Sequence, residues 1–350
     1  MSCANAAEAV KVEVEGIEAV RLENEWLRAV VLVGKGTDVW ELTYKPLAAD
    51  LLLKTKSGLA PLRGRDLRTD RLTHYAEAYP GGWQDIVPNR ARFGGREVDR
   101  QREGESAGIP WEYEIRSEGA DATLVCRASL PFAPLAIEKT FRLAAGEPEL
   151  VVTEEVTNVG GEDILFIWTH HPAFASPLVG ESARVILPEG SKVFNVWRYE
   201  EEKLEGGESR GALEALEKFE EEPGEVRLAG GGRKDLRKVE PPSPNGGDCY
   251  APLFGFREGE AGIRNPALGL QLKLSWDRET FPCLRYWSRN DEDLYTVALE
   301  PSTSRFSDID DAIRRGDCLR LGPGERRPAW IRVRVEPDLG NIGEAAPREA

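Results

Sequence analysis

Only three histidines occur in the 350 residues, and two of them are adjacent. His170 and His171 end an apolar and aromatic run that begins at Ile164 and is followed by Pro172. Imidazole is the side chain that most readily exchanges a proton near neutral pH. Because neighbours in a regular strand face opposite sides, at most one of the pair is predicted to enter a catalytic site. The same geometry makes the histidines a poor zinc set, and no metal is expected.

A carboxylate ends another apolar run. Glu300 follows residues 295–299 and precedes Pro301. At the mouth of a β-sandwich such a carboxylate is partly desolvated, which raises its pKa and suits it to act as a base. A solvated charge at a strand end is the structural alternative, because glutamate is rarely buried.

Aromatic, amide and guanidinium groups lie together in the turn-rich segment 79–90. The segment contains Trp83, Gln84, Asn89 and Arg90. Apolar sugar faces stack on indoles, and sugar hydroxyls bond to amides and arginine. The combination favours a saccharide-binding site, and a turn with packed aromatic side chains is the alternative.

Residues 104–108 match the GxSxG pattern of serine hydrolases. That nucleophile elbow needs an apolar strand before Ser106 and a helix after it. Here residues 97–103 are polar, and Pro110 ends any helix within a few residues. A hydrolase is therefore not favoured. The sequence contains neither a P-loop nor GxGxxG, so nucleotide binding is not indicated.

Alternating apolar and polar residues recur along the whole chain. They predict strands at 10–15, 123–128, 137–143, 150–156, 270–276, 295–299 and 330–335. Clusters of Gly, Pro, Asn and Asp separate these strands, and long helical stretches do not alternate with them. The pattern predicts an all-β protein in which large antiparallel sheets form a β-sandwich. One domain is expected over residues 1–338.

Two segments depart from the strand pattern. Residues 199–247 are rich in charge, Gly and Pro, which predicts a surface excursion with at most one short helix, at 212–219. Residues 339–350 have little apolar content and are predicted to be a loose tail.

Composition excludes several classes of partner. The chain has 46 Lys and Arg against 61 Asp and Glu, a net charge of −15, so its surface repels nucleic acid. No apolar run approaches the roughly 18 residues of a membrane helix, and the first residues do not form a secretory signal. A cytoplasmic protein without a membrane partner is expected. The five cysteines include no CxxC pair, which predicts reduced and mostly buried thiols.

Much of the chain resembles the aldose 1-epimerase (galactose mutarotase) superfamily, and within it the uncharacterised bacterial mutarotase-like proteins. Residues 22–24 and 33–42 are similar to the opening hairpin of that family, in which a Gly-rich turn leads into the next strand. Residues 322–325 resemble the turn before its closing strand. The resemblance implies the galactose mutarotase-like supersandwich fold.

The resemblance also implies catalytic roles. Residues 170–174 look like the family's Asn-His-x-Tyr-Phe segment, which places His171 on the general acid and His170 on the preceding amide, in the substrate-binding set. Glu300 looks like the catalytic base.

Further substrate-binding positions are implied in the same way. Asn89 and Arg90 resemble the family's substrate-gripping pair, and Asp248 stands where a sugar-binding aspartate is expected. Relatives often carry His-Gly-Glu shortly before Pro-Trp, whereas this chain has Glu103 in place of that histidine.

The function implied by the resemblance is the interconversion of sugar anomers by acid–base ring opening, on a small-molecule carbohydrate and without a cofactor. A sugar-binding or regulatory protein without turnover is an alternative, which Glu103 favours. A lyase or a phosphosugar epimerase on the same fold is another. A phosphosugar would need basic side chains near the groove, and Arg90, Arg92 and Arg96 are available.

Overall fold

The computed structural model describes residues 6–70, 72, 75–98, 104–196, 198, 220–228, 231–244 and 246–338. Within these ranges strands are the main regular secondary structure. They are β1 (Glu8–Val14), β2 (Ile17–Glu23), β3 (Leu27–Leu32), β4 (Asp38–Tyr44), β5 (Ala49–Asp50), β6 (Trp83–Phe93), β7 (Arg96–Glu97), β8 (Glu112–Glu118), β9 (Asp121–Ser129), β10 (Leu135–Leu143), β11 (Glu149–Asn158), β12 (Ile164–Phe174), β13 (Arg184–Ile186), β14 (Lys192–Phe194), β15 (Glu220–Glu221), β16 (Val226–Arg227), β17 (Arg233–Lys234), β18 (Asp248–Phe254), β19 (Glu260–Asn265), β20 (Leu270–Trp276), β21 (Cys283–Asn290), β22 (Tyr295–Ser302), β23 (Leu319–Leu321) and β24 (Arg326–Pro337).

Short helical segments complete the described chain. The α-helix α1 spans Ile309–Arg315, and 3-10 turns lie at Lys45–Leu47, Ala60–Leu62, Tyr75–Ala78 and Glu105–Gly108. Helix α1 begins where the Asp308 carboxylate accepts the backbone N–H groups of Asp310 and Asp311, and it ends at Gly316 in the left-handed conformation. None of the described helices combines the length and the apolar character that a bilayer span requires.

Two large antiparallel sheets form the body of the molecule. The larger follows the order β1-β2-β3-β4-β6-β12-β22-β21-β18-β14-β15, with β5, β7 and β23 paired at its side. The smaller follows the order β13-β19-β20-β24-β11-β10-β9-β8. The main core contains buried side chains of both sheets, so the two sheets pack face to face.

Period-two alternation explains this packing. In β20 every second residue from Leu270 to Trp276 is buried, and β20 has the bounds that the sequence pattern predicts. The other predicted strands also form, with ends that differ by a few residues. The all-β antiparallel sandwich expected from the sequence is confirmed.

Three of the segments discussed above lie partly or wholly outside the described residues. These are the predicted helix at 212–219, Glu103, and the tail at 339–350. The described part of the 199–247 segment contains the two-residue strands β15, β16 and β17. Its side chains Val226 and Leu236 are buried in the main core.

Candidate functional site

The ionisable side chains of His171, Glu300 and Arg285 form a row across the middle of the larger sheet. The register between β12 and β22 pairs Thr169 with Ser302 and Ala173 with Ala298, which sets His171 opposite Glu300. The register between β22 and β21 pairs Glu300 with Arg285. Opposite residues on neighbouring strands have Cβ atoms about 5 Å apart, so the three side chains are immediate neighbours.

The row forms part of the wall of a cleft of about 330 Å³. This volume is near the lower end of small-molecule sites, which range over about 300–1,000 Å³. Strands β6, β12, β22, β21 and β18, which are consecutive in the larger sheet, supply most of the lining. The lining residues are Ala76, Tyr79, Ile86, Asn89, His171, Tyr250, Arg285, Trp287, Glu300 and Ser307.

The imidazole and the carboxylate of this row are in contact. His171 Nε2 lies 3.4 Å from Glu300 Oε1. Glu300 is only 5% exposed and His171 9%. Burial raises the pKa of Glu300, while the nearby His171 and Arg285 oppose that rise. A carboxylate whose pKa lies closer to neutrality is a better proton acceptor in acid–base chemistry.

Two aromatic rings flank the imidazole of His171. The Tyr79 hydroxyl lies 3.4 Å from Nδ1, and the two rings meet edge to face. The Trp287 indole lies on another side, with 5.7 Å between ring centroids. A hydrogen-bonding partner at Nδ1 helps to fix the ring and its tautomer.

Asp248 does not line the cleft. Its Oδ1 accepts the Nε1–H of Trp287 at 3.0 Å, so the carboxylate orients the indole that does line it. The placement differs from the direct sugar contact that the resemblance implies. Asp248 is the first residue of β18, and its half-exposed side chain lies beside Arg289.

Uncharged polar groups complete the described wall. Burial raises the pKa of Tyr250 to about 12, so its hydroxyl stays protonated and can donate a hydrogen bond. Asn89 is buried on β6, with its side-chain nitrogen 3.5 Å from Thr169 Oγ1. Ser307 enters the cleft just before helix α1.

His170 points to the opposite face of β12, as strand alternation predicts. It is buried between the sheets, where Nε2 lies 3.6 Å from Asp85 and 3.5 Å from Glu154. Lys139 Nζ lies 2.7 Å from Asp85 and 3.4 Å from Glu154. These four residues, Asp85, Lys139, Glu154 and His170, form a buried ionic cluster within the sandwich.

The pKa values of the cluster shift in different directions. Burial raises the pKa of Asp85, but the neighbouring Lys139 outweighs burial, so the pKa is lowered. Burial and the neighbouring Asp85 raise the pKa of Glu154 well above its ordinary value. Burial lowers the pKa of His170 to about 4. Near neutral pH, His170 is therefore neutral, while Asp85 and Lys139 form a charged pair.

Asp85, Glu154 and His170 have the spacing of a metal site, with ligand atoms within 4.8 Å of one another. The chemistry of this set does not fit one. Trp83 Nε1–H donates to Nδ1 of His170 at 3.2 Å, so the neutral imidazole carries its proton on Nε2, the nitrogen that faces the carboxylates. Lys139 already supplies the positive charge between those carboxylates.

Three predicted binding residues do not reach the cleft. Trp83 and His170 are turned into the space between the sheets and contact each other there. Gln84 is fully buried, and its Nε2 donates to Asp38 Oδ2 at 3.3 Å. Trp83 and His170 therefore fill the space between the sheets, whereas Gln84 is held by Asp38. Arg90 is partly buried and is not among the described residues that line the cleft.

Ser106 of the GxSxG match is also buried. Its hydroxyl accepts the Val87 N–H and donates to the Asp85 carbonyl, at 2.8 and 2.6 Å. The serine lies in a 3-10 turn and not between a strand and a helix. It stabilises the turn against β6 and has no access to a substrate.

Sequence reasoning did not single out five of the polar or aromatic lining residues. These are Tyr79, Tyr250, Arg285, Trp287 and Ser307. The alternation of Arg285 and Trp287 along β21 was a usable signal, because it places both side chains on one face. Their proximity to Glu300 depends on strand pairing, which no local pattern gives.

Solved structures with this architecture have low sequence identity to the chain. A candidate aldose 1-epimerase from Klebsiella pneumoniae aligns with a TM-score of 0.67 and 13% identity, over 92% of this chain and 80% of that one. A galactose mutarotase-like protein from Clostridium acetobutylicum aligns with a TM-score of 0.64 and 14% identity, over 95% and 99%. Galactose 1-epimerase from Lactobacillus acidophilus aligns with a TM-score of 0.58 and 13% identity, over 95% and 98%.

These similarities show that the chain has the galactose mutarotase-like fold. A family model described as a domain of unknown function (DUF4432) matches residues 255–335. No curated protein matches the sequence significantly.

Proposed function

We propose that the protein is an aldose 1-epimerase-like enzyme that interconverts the α and β anomers of a monosaccharide. The observation that carries this proposal is the contact between His171 and Glu300 in the wall of a sugar-sized cleft. An imidazole and a carboxylate at this distance can serve two neighbouring oxygen atoms of one substrate. The fold, which is shared with galactose mutarotase-like proteins, supports the proposal.

Ring opening needs two proton transfers, and the pair provides both. Glu300 accepts the proton of the C1 hydroxyl while protonated His171 donates its proton to the ring oxygen. The bond between C1 and the ring oxygen breaks, C1 becomes the aldehyde carbon, and the ring oxygen becomes a hydroxyl. Each positioned proton transfer contributes about 10²- to 10⁴-fold to the rate.

Ring closure restores the enzyme. Rotation about the bond between C1 and C2 presents the other face of the aldehyde to the hydroxyl oxygen. His171, now neutral, takes the hydroxyl proton as the ring closes, and Glu300 returns its proton to the former carbonyl oxygen. The cycle has no net proton change and no redox step.

The remaining wall suits a sugar. The Trp287 indole offers an apolar plate for the C–H face of a pyranose. The hydroxyl of Tyr250 and the amide of Asn89 can hydrogen-bond to sugar hydroxyls. Aromatic plates beside a few directed polar groups are the usual composition of a site for a small polar ligand.

The proposal is tested by anomer exchange. Freshly dissolved α anomers of hexoses, pentoses and hexose 6-phosphates are followed by polarimetry, with and without protein. Wild type accelerates the approach to equilibrium for at least one sugar, and Glu300→Gln reduces this acceleration by about 100-fold or more. Glu138→Gln is the matched control, because Glu138 is an exposed strand glutamate of the smaller sheet. This variant is expected to retain wild-type activity.

Two outcomes contradict the proposal. If calorimetry detects sugar binding but wild type accelerates no anomerisation, the protein is a sugar-binding protein. If Glu300→Gln retains the wild-type rate, the carboxylate is not the base.

A further inference from the structure

We propose that Arg285 is a positioning residue that holds the buried Glu300 in its carboxylate form. This role deepens the proposed function and rests on it, because it explains how the base is kept ready for the C1 proton. Arg285 itself is given no contact with the reacting atoms.

The geometry fixes Arg285 beside Glu300. The two residues are directly paired across β21 and β22, and both line the cleft. Arg285 is only 4% exposed. Its Nε donates to the Ser304 carbonyl at 3.2 Å and its Nη2 donates to the Phe306 carbonyl at 2.6 Å. A guanidinium held by two backbone carbonyls keeps its charge at a constant position beside the carboxylate.

The charge of Arg285 differs in kind from that of the other groups around Glu300. His171 faces Glu300 from β12, Tyr250 from β18, and Cys283 lies on β21 with Arg285. The tyrosine and the thiol are neutral, because burial raises the pKa of both. The imidazole loses its positive charge whenever it donates its proton. A guanidinium is never deprotonated in proteins, so Arg285 is the described neighbour whose charge is constant through the cycle.

Burial makes this charge necessary. Transfer of a carboxylate out of water favours its protonated form, and a protonated Glu300 cannot accept the C1 proton. An opposite charge within about 4–6 Å lowers a carboxyl pKa by roughly one to three units. The same tether holds residues 304–306 in place and so sets the approach of Ser307 to the cleft.

The test is a direct titration of Glu300. Protein labelled with ¹³C at the glutamate carboxyl carbons is titrated by NMR, and the Glu300 signal is the one that disappears in Glu300→Gln. In wild type the midpoint lies below pH 7. Arg285→Met raises the midpoint by about 1 pH unit or more, whereas Arg285→Lys keeps the charge and stays within about half a unit of wild type.

A matched control comes from the same strand. Arg289 lies four residues after Arg285 on β21, and its guanidinium pairs with Asp291. Arg289→Met removes that guanidinium and leaves the midpoint of the Glu300 titration unchanged. The acidic limb of kcat/KM moves to higher pH in Arg285→Met alone. A purely structural role for Arg285 would lower the amount of folded protein without moving either midpoint.

Several results overturn the proposal. These are a wild-type midpoint above pH 7, an unchanged midpoint in folded Arg285→Met, or a midpoint in Arg285→Lys that rises by 1 pH unit or more. The wild-type and Arg285→Lys midpoints can be measured without the Met variant, so the test stands even if Arg285→Met does not fold. If the titrations behave as expected but wild type exchanges no anomers, the proposed function fails and the charge role of Arg285 stands.

Discussion

At the scale of single residues, the chemistry depends on what surrounds each proton-carrying group. His170 and His171 are chemically identical neighbours, yet one is enclosed between the sheets and the other faces the cleft. Strand alternation alone assigns them to opposite faces. Alternation could not say which of the two faces the cleft, because that depends on which side of β12 the second sheet covers; the family resemblance pointed to His171.

The acidic limb of the pH profile reports the environment of Glu300. Burial raises its pKa above the ordinary value of 4.5. The base form is lost as pH falls through this raised pKa, so kcat/KM for anomer exchange decreases below a midpoint that lies above 4.5. A pH series of exchange rates measures this midpoint. A midpoint of the acidic limb at or below pH 4.5 would show that the group whose protonation lowers kcat/KM is not the buried Glu300.

The predictability of the site also differs from residue to residue. Glu300 and His171 each end an apolar run, so the sequence marks them as polar groups at a strand end. Arg285 and Trp287 stand inside a strand where an alternating pattern is ordinary, and only the pairing of β21 with β22 brings them to Glu300. Trp83 and Gln84 had suitable chemistry for a sugar, but both are buried and neither lines the cleft.

At the scale of elements, the sheets are held in register by polar groups as well as by apolar packing. Lys139 on β10 reaches Asp85 on β6, so one buried ion pair links the smaller sheet to the larger. The Asp85 carboxylate also accepts the Trp168 indole N–H at 2.7 Å. This cluster lies directly beneath the strand that carries His171.

Lys139→Met is expected to destabilise the fold strongly. The substitution leaves the Asp85 carboxylate buried without its counter-charge, which costs about 3–5 kcal/mol in the free energy of unfolding. Urea denaturation measures the loss. The double variant Lys139→Met with Asp85→Asn recovers part of the stability, because it removes the uncompensated charge.

The control for this prediction is an exposed pair. Lys273→Met breaks a contact with Glu260 in which both side chains are more than a third exposed, and it costs less than about 1 kcal/mol. A Lys139→Met protein as stable as Lys273→Met would show that the buried pair does not hold the sheets together.

The turn before β6 sets a second requirement at this scale. Gly81 has a φ of +91°, and a Cβ atom there would lie 2.3 Å from the Leu53 carbonyl oxygen. Gly95 also has a positive φ, of +74°, but a Cβ there meets nothing within 4 Å. The close approach of Gly81 to Leu53 is a tertiary contact that only the fold reveals.

Gly81→Ala and Gly95→Ala therefore separate conformational strain from steric overlap. Gly95→Ala lowers the free energy of unfolding by about 1–2 kcal/mol, because a residue with a side chain is strained in the left-handed conformation. Gly81→Ala costs clearly more and also reduces anomer exchange, because the displaced turn carries Tyr79 away from His171. Urea denaturation and polarimetry provide the two readouts. Equal losses in the two variants would contradict the role assigned to the Leu53 contact.

At the scale of the whole molecule, the site exists only when distant parts of the chain have come together. Strand β12 contributes His171 and β22 contributes Glu300, and the intervening chain includes strands of both sheets. The sequence indicated the sandwich because alternation is a local property that many strands share. It could not give the strand order, which follows from how the sheets cover each other.

The region matched by the family model is consequently not expected to fold alone. Residues 255–335 include β21 and β22, whose partners β18 and β12 lie outside the region. They also include most of β24, which keeps β20 on one side but lacks β11 on the other. An isolated 255–335 fragment is expected to give a poorly dispersed amide NMR spectrum and no cooperative unfolding. A cooperative transition in that fragment would show that it is an independent unit.

The central claim is that His171 and Glu300 act on one sugar ring from the same cleft. A crystal structure of Glu300→Gln with a bound monosaccharide tests it most directly. We predict that the C1 hydroxyl lies within hydrogen-bond distance of residue 300, that the ring oxygen lies within the same distance of His171 Nε2, and that the pyranose rests on Trp287. A sugar bound in another part of the molecule, or in this cleft with C1 turned away from both side chains, would contradict the account.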